Sequence, residues 1–407
     1  MTLIAVWLNN FTPLQSRPTR NYLAGQATSL MGVWLQQTTL ALLVFQLSGE
    51  QALALGINAL CASAPVLLFS LFTGALADRY DRRRLLIGCH VMEVLLTVCL
   101  ATMVHTESVT LIHVYLFSFL LGCVGSVHFP TQQAFLYDLA GTENIRKLVS
   151  INSMILNVCR TLGPTLAGFL VAHQGMSTAF WFNAASYGVV ILSLLSLHTV
   201  AQERPEQQRS PELGEALRYI RGHLPLRNVY LCCTTLTVFG LGTLTLMPAV
   251  ADGDPQRTGL LLAAAAGGSL IYAVFLSPVI SYIQHMGLVI SLTLVWMGAW
   301  LLVAALAPWL ELRMLSLFMF GLATSQAMVA CTGMVQWLAP AGMRGRLMGL
   351  FSILGFGLQP LATVAGGYIA DRVGVTTTLA LWALFAMTIA SALLLQPGWR
   401  KWDLSVR

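Results

Sequence analysis

The chain has 407 residues, of which 57% are hydrophobic and only 9% are charged, and its mean hydropathy is +0.73. A soluble domain carries far more charge on its surface, so this composition excludes a soluble protein and predicts a chain embedded in lipid. The net charge of +6 reflects an excess of Lys and Arg in the loops that are predicted below to face the cytoplasm. We therefore expect no nucleic-acid binding, although basic residues should contact anionic lipid headgroups.

Apolar segments long enough to cross a bilayer recur along the whole chain. A spanning helix needs about 20 mostly apolar residues, and its backbone hydrogen bonds are satisfied within the segment. We therefore predict an all-α membrane protein of about twelve transmembrane helices. The predicted spans, numbered in chain order, are 20–47, 51–75, 85–104, 109–136, 145–172, 176–198, 228–250, 257–281, 285–308, 311–338, 344–371 and 374–396.

One long polar connection separates the sixth predicted span from the seventh. It covers 199–227 and is rich in Glu, Arg, Gln and Pro, and part of it, Pro211–Gly222, can form an amphipathic helix at the membrane surface. We interpret it as a cytoplasmic linker. The predicted organisation is an N-terminal six-helix half over 1–198 and a C-terminal six-helix half over 228–407.

The basic residues are distributed unequally between the two sets of loops. If both termini are cytoplasmic, 18 of the 22 Lys and Arg residues lie on the inner side. Only Arg257, Arg313 and Arg372 fall in outer loops, and Arg160 lies within a span. Cytoplasmic loops carry an excess of Lys and Arg, so we expect both termini in the cytoplasm.

The most specific local pattern is GALADRYDRRR at residues 74–84, between the second and third predicted spans. It resembles the loop signature of the major facilitator superfamily, in which Gly, Asp and a basic run occur together at this place. The pattern is also compatible with an ordinary basic loop on the cytoplasmic side. The resemblance implies two six-helix halves with a substrate path between them.

The resemblance also implies a gating role for this loop. Asp78 would face the positive N-terminus of the eleventh helix, which is predicted to begin near Arg344. Arg82 would pair with Asp138 as a latch, and we expect a partly hydrated pair because a latch has to break. The gating residues implied in this way are Gly74, Asp78, Arg79, Arg82, Asp138 and Arg344.

Further residues of the first half look like the drug and siderophore exporter branch of this superfamily, which contains the enterobactin exporter and the macrolide efflux proteins. They are the stretch from Phe129 to Asp138 and the stretch from Asn152 to Gly168. In the second of these, Gly163 and Pro164, with Gly168, form an antiporter-like pattern. Pro removes a backbone hydrogen bond and Gly removes bulk, so we expect a hinge, with an ordinary kinked helix as the alternative.

Two departures from the family pattern bear on the mechanism. Many members have an Asp in the first helix where this chain has Val33, and the Arg that many drug exporters carry in the fourth helix is replaced by Ser118. The first departure, together with an Arg in the fifth helix, is shared with the enterobactin exporter. The resemblance therefore favours a siderophore over a drug as substrate.

Ionisable residues within the spans are few. Glu93 lies about mid-depth in the third span with His90 one turn earlier, and Arg160 lies near the middle of the fifth span. Charge at the bilayer centre is costly and needs a partner or a wet cavity. Glu93 and His90 suit proton coupling or substrate binding, and equally a structural partnership of Glu93 with His90 or with a backbone group. We assign His113 and His128 to packing.

Arg160 has the chemistry of an anion site, because a guanidinium binds carboxylate or catecholate oxygens at two points. Glu93 is its expected counter-charge in the resting state. We therefore expect a proton-driven exporter of small organic molecules, with an anionic siderophore as one candidate. An importer of the same fold and a non-transporting sensor stay open. No enzyme motif, cofactor or metal site is expected, and we expect a monomer.

Overall fold

The computed structural model describes residues 12–197, 213–276, 285–340 and 343–400, without the side chains of 70–79, 140–143, 146, 213, 215 and 356. Within these ranges every regular element is helical. The prediction of an all-α fold is confirmed. The length and composition of twelve helices suit them to cross a membrane, which agrees with the predicted number of spans.

The boundaries of these helices lie within a few residues of the predicted ones. The largest difference at a start is in the seventh span, which begins four residues before the predicted position, at Leu224. The spans are Arg17–Leu47, Ala52–Phe69, Arg82–His105, Leu111–Leu139, Lys147–Gln174, Met176–Leu195, Leu224–Thr245, Pro255–Leu276, Met286–Leu306, Leu310–Leu338, Arg344–Val373 and Val375–Leu394.

Several helices continue beyond these apolar cores. The helix of the second span runs over Ala52–Arg79, and one helix of 64 residues, Leu111–Gln174, contains both the fourth and the fifth span. The connection expected between those two spans is therefore helical in its backbone. Short helices outside the spans are Thr12–Gln15, Leu213–Gly222 and Pro397–Arg400.

Three spans of the second half contain a π-helical turn. These turns cover Leu236–Leu241, Tyr272–Leu276 and Ile353–Gly357, in the seventh, eighth and eleventh spans. The seventh span ends in a short α-helical turn, Gly242–Thr245, and a second short helix, Met247–Val250, follows it. A π-turn interrupts the i to i−4 ladder locally, so these spans are not uniform α-helices.

The chain forms two compact units. One contains Met1–Leu47 and Cys61–Gln207, and the other contains Ser48–Leu60 and Gln208–Arg407. The start of the second span therefore groups with the second unit, and the rest of that helix groups with the first. The sequence-based division at 198 and 228 stays a prediction.

Close helix contacts inside the first unit position its polar residues. Tyr22 of the first span packs edge-on against Phe135 of the fourth, with ring centroids 5.2 Å apart. A Cβ added at Gly163 would lie 2.5 Å from Cβ of Trp34, so the fifth span approaches the first as closely as a glycine permits. At Gly32 a Cβ would collide with Asn183 of the sixth span.

Candidate functional site

A buried cluster of ionisable side chains lies between the third and fourth spans. Nδ1 of His90 lies 2.8 Å from Oε2 of Glu93, and Nδ1 of His128 lies 2.8 Å from Oε1 of the same carboxylate. His90 and Glu93 are three residues apart, which puts both on one face of the third span. Both carboxylate oxygens thus have an imidazole partner.

The two imidazole rings of this cluster contact each other, and a tyrosine ring lies next to them. The rings of His90 and His128 meet edge to face, with centroids 4.6 Å apart, and the ring of Tyr187 from the sixth span lies 5.8 Å from that of His90. Glu93 retains 5% of its exposure and His90 retains 2%. A carboxylate in such a place is tolerated only because its hydrogen bonds are made within the protein.

His128 was assigned to packing from the sequence, and that assignment was wrong. Its Nδ1 is an ion-pair partner of Glu93 when the imidazole is protonated. The sequence did contain a signal for a second partner of Glu93. A buried carboxylate has two oxygens that need hydrogen bonds, and His90 can reach only one of them. A second polar group at matching depth on a neighbouring span was therefore required.

The second nitrogen of His128 is available for chemistry. Nε2 is buried and has no hydrogen-bond partner among the residues that the structure describes. Because Nδ1 faces a carboxylate oxygen, the neutral ring places its hydrogen on Nδ1 and leaves a lone pair on Nε2. The cluster can therefore accept one further proton at a defined atom without losing a hydrogen bond.

The same three side chains are of types that bind transition metals. Their donor atoms lie within 4.8 Å of one another. The 2.8 Å separations between nitrogen and oxygen are hydrogen-bond distances. A tetrahedral metal with bonds near 2.0 Å would have to push these atoms apart, so the observed geometry suits protons better than a metal.

A network of uncharged polar groups adjoins the cluster. Oε1 of Gln36 in the first span accepts hydrogen bonds from Nδ2 of Asn183 at 2.8 Å and from Oγ1 of Thr97 at 3.2 Å. Thr97 is one helical turn beyond Glu93 on the third span. The first, third and sixth spans are thus hydrogen-bonded together one turn from the ionisable cluster.

Arg160 lies against an aromatic ring of the first span. Its guanidinium carbon is 5.8 Å from the ring centroid of Trp34, which is within range of a cation–π interaction. It forms no ion pair with a carboxylate in the described part of the chain, so the pair expected between Arg160 and Glu93 is absent. The physical reason is that both oxygens of Glu93 are taken by imidazoles.

The pair of Arg82 and Asp138 is formed, at 2.6 Å between Nη1 and Oδ1. Its side chains retain 5% and 4% of their exposure, so the expectation of a partly hydrated pair was wrong. Nη1 also lies 3.5 Å from the carbonyl oxygen of Ala134, which draws the guanidinium in between the third and fourth spans. The neighbouring Arg83 donates to the carbonyl oxygens of Leu194 and Leu195, at the end of the sixth span.

The remaining gating residues are only partly described. Gly74, Asp78 and Arg79 fall in the final turns of the second helix, and their side chains lie outside the described residues. Arg344 is exposed and begins the eleventh span. In the expected hinge, Gly163, Pro164 and Gly168 are buried, and the helix assignment is continuous through them. Their roles in gating and bending stay predictions.

Comparison with known proteins identifies the family and several relatives. Residues 8–405 match the superfamily model described as transmembrane secretion effector. The staphyloferrin A transporter of Staphylococcus aureus is 28% identical over 271 residues, which cover 65% of this chain and 68% of that protein. The multidrug efflux pump Tap of Mycobacterium tuberculosis is 24% identical over 89% of both chains. The enterobactin exporter EntS of Escherichia coli is 25% identical over 85% of this chain and 84% of its own.

Solved transporters share the fold at low sequence identity. The nucleoside transporter NupG superposes with a TM-score of 0.75 at 14% identity, covering 93% of this chain and 98% of that one. A bacterial homologue of the iron transporter ferroportin gives 0.70 at 14% identity, covering 93% and 99%. With twelve membrane helices and a family match over nearly its whole length, this chain belongs to the major facilitator superfamily of membrane transporters.

Proposed function

We propose that this protein is a proton-driven exporter of small organic molecules that works by alternating access, with a siderophore preferred to a drug as substrate. The proposal places it in a bacterial inner membrane with both termini in the cytoplasm, acting as a monomer among anionic lipids. The excess of Lys and Arg on one side supports this orientation. The exporter and the efflux pump among its relatives support the direction of transport.

The observation that carries the proposal is the Glu93 carboxylate held between two imidazoles inside the first unit. Before the extra proton binds, the rings of His90 and His128 both donate a hydrogen bond from Nδ1–H to the Glu93 carboxylate. A proton arriving at Nε2 of His128 then makes an imidazolium beside Glu93, and the carboxylate stabilises it. Release of that proton on the other side of the membrane returns the cluster to its starting state.

Arg160 and Trp34 form the proposed substrate contact. A guanidinium binds two oxygens of a carboxylate or catecholate in its plane, and the indole ring beside it offers a stacking surface to an aromatic or apolar part. Because Arg160 has no carboxylate partner among the described residues, an anionic ligand does not have to displace one. This supports an anionic substrate over a cationic one.

The absence of a bond between Glu93 and Arg160 changes the proposed route of coupling. The two sites share no residue, so coupling has to pass through the helices that carry them. Gln36 lies two residues beyond Trp34 in the first span and is hydrogen-bonded to Thr97 in the third. A charge change at Glu93 that shifts the third span would therefore move the first span and Trp34.

Two other functions use the same fold. An importer of an organic solute would run the same cycle in the opposite direction. A sensor without transport is disfavoured because a charged cluster inside the spans is costly to retain without a use.

Transport in inverted membrane vesicles tests the proposal. A citrate-type siderophore, a catecholate siderophore or a macrolide would be added outside vesicles that contain the protein. Its accumulation inside would be measured with and without an imposed pH gradient. We expect accumulation of a siderophore that depends on an acidic lumen and stops with a protonophore. Accumulation only in right-side-out vesicles would identify an importer, and no gradient-dependent movement of any of the three would contradict the proposal.

A further inference from the structure

The sequence contains a second copy of the motif that ends the second span. Residues 74–79 read GALADR and residues 367–372 read GYIADR, so Gly, Ala, Asp and Arg recur at the same spacing. The first copy lies in the last turns of the helix Ala52–Arg79, and the second lies in the last turns of the eleventh span. Both copies therefore put an Asp in the last turn of a helix that contains a membrane span.

The structure gives the contacts of the second copy. Oδ1 of Asp371 accepts a hydrogen bond from the backbone N–H of Ala52 at 2.6 Å, and Oδ2 accepts one from Leu53 at 3.0 Å. These N–H groups belong to the first turn of the second span, where no intrahelical acceptor exists. The carboxylate of the eleventh span therefore caps a helix that precedes it by more than 300 residues, and its charge faces the positive end of that helix.

Glycines bring the two helices together at this place. A Cβ added at Gly367 would lie 2.5 Å from the carbonyl oxygen of Ala52 and 2.7 Å from Cα of Leu53. One added at Gly56 would lie 2.6 Å from Cα of Val364. Backbone contacts of this kind on both helices hold the start of the second span within reach of Asp371.

The two motif copies are associated with opposite ends of the second helix, Ala52–Arg79. Asp371 contacts the beginning of the second span, and Asp78 lies near the end of the same helix. The helix has 28 residues, which corresponds to roughly 40 Å at 1.5 Å per residue and is enough to cross a bilayer. This relation holds whichever way the protein is inserted.

We propose that Asp371 is a gating residue that holds the second span against the eleventh on the membrane face opposite Asp78. Its bonds to Ala52 and Leu53 stabilise the state in which that face is closed, and they break when it opens. The cap is suited to this role because Asp371 is exposed and the cap consists of two hydrogen bonds, so it is strong enough to bias a population and weak enough to release. The proposal rests on the alternating-access function proposed above.

Distances between spin labels at Gln51→Cys and Thr377→Cys test the proposal, because both residues are exposed and flank the contact. The background would lack Cys61, Cys99 and Cys123, the three cysteines that are not buried. We expect one short and one long distance population in the reconstituted protein. Asp371→Asn, which removes the charge at constant size, should raise the ratio of long to short roughly three- to tenfold.

Two further variants complete the test. In Asp371→Glu, which keeps the charge, the ratio of the long to the short distance population should lie closer to that of the unsubstituted protein than in Asp371→Asn. Asp254→Asn is the matched control, because Asp254 caps its own helix through the N–H of Arg257 and, among the described residues, bonds to no other helix. Equal ratios in Asp371→Asn and the unsubstituted protein, or an equal shift in Asp254→Asn, would overturn the gating role of Asp371. A single distance under all conditions, with and without a pH gradient, would instead contradict alternating access.

Discussion

Nδ1 of His128 lies 2.8 Å from Oε1 of Glu93, across the interface between the fourth and third spans. This contact brings together a carboxylate that cannot stay unpaired in the membrane and an imidazole whose other nitrogen has no partner in the described structure. The proposed transport mechanism depends on that unpartnered nitrogen. The first prediction therefore concerns His128.

His128→Gln should uncouple transport from the pH gradient while leaving the fold intact. The amide can still donate a hydrogen bond to Glu93, but it has no nitrogen that takes up a proton near neutral pH. We expect the stimulation of transport by a pH gradient to fall roughly tenfold, within the range of coupling between sites. Vesicle uptake measures this, and His173→Gln, at an exposed position of the fifth span, is the control. Full stimulation in His128→Gln would exclude His128 as the proton acceptor.

Substitution of Arg160 should weaken substrate binding without unfolding the protein. Arg160→Lys keeps the charge and loses the planar fork, and Arg160→Gln loses both. We expect about ten- to hundredfold weaker binding of an anionic siderophore to Arg160→Gln, the usual size of a charged hydrogen bond. Trp34→Phe should have a smaller effect, and Trp181→Phe, at a well-exposed ring, should have none. The affinity of the purified variants for the substrate tests this prediction. If Arg160 has a structural role instead, the affinity will not change.

The ion pair of Arg82 and Asp138 should contribute to stability as well as to function. Both side chains are almost fully buried, so removing one takes away a close charge partner of the other inside the protein, which costs about 3–5 kcal/mol. We expect Arg82→Ala to lower the unfolding temperature in detergent markedly, and the double variant with Asp138→Ala to recover part of the loss. Arg84→Ala, at an exposed position two residues further on, is the control. Equal stability of Arg82→Ala and Arg84→Ala would contradict the buried bridge.

The contact of Gly163 with Trp34 predicts a difference between two glycines. Gly163→Ala places a Cβ 2.5 Å from Cβ of Trp34, and relief of that overlap should cost about 1–3 kcal/mol. At Gly188, by contrast, an added Cβ meets nothing within 4 Å. Gly188→Ala should be neutral or stabilise the helix slightly. Unfolding in detergent compares the two, and similar losses would mean that the first and fifth spans do not pack closely at this glycine.

Much of the fold could be predicted from the sequence because the bilayer imposes a length and a composition on each span. Apolar runs located all twelve helices, and the linker helix was found close to its observed place at Leu213–Gly222. The continuous helix through the fourth and fifth spans could not be found in this way, because polar residues between two apolar runs are compatible with either a loop or a helix. The π-turns were missed because hydropathy does not depend on the hydrogen-bond ladder.

The site could be predicted only as single residues. The cost of charge in the membrane singled out Glu93 and Arg160, but that rule does not say which helix faces which. The prediction that Glu93 pairs with Arg160 was therefore wrong. The role of His128 was overlooked because a lone histidine in a span has no periodic signal. Asp371 was not singled out, because a cap on a distant helix depends on tertiary structure.

Gradient-driven transport by Glu93→Gln tests the central claim most directly. The substitution preserves size, keeps one of the two oxygen acceptors and removes the charge that stabilises a protonated His128. Reconstituted vesicles would compare uptake driven by a pH gradient with exchange of labelled for unlabelled substrate at equal pH, which needs no net proton movement. We predict that Glu93→Gln loses gradient-driven accumulation and keeps exchange. Accumulation at the level of the unsubstituted protein, with full dependence on the gradient, would contradict proton coupling through Glu93.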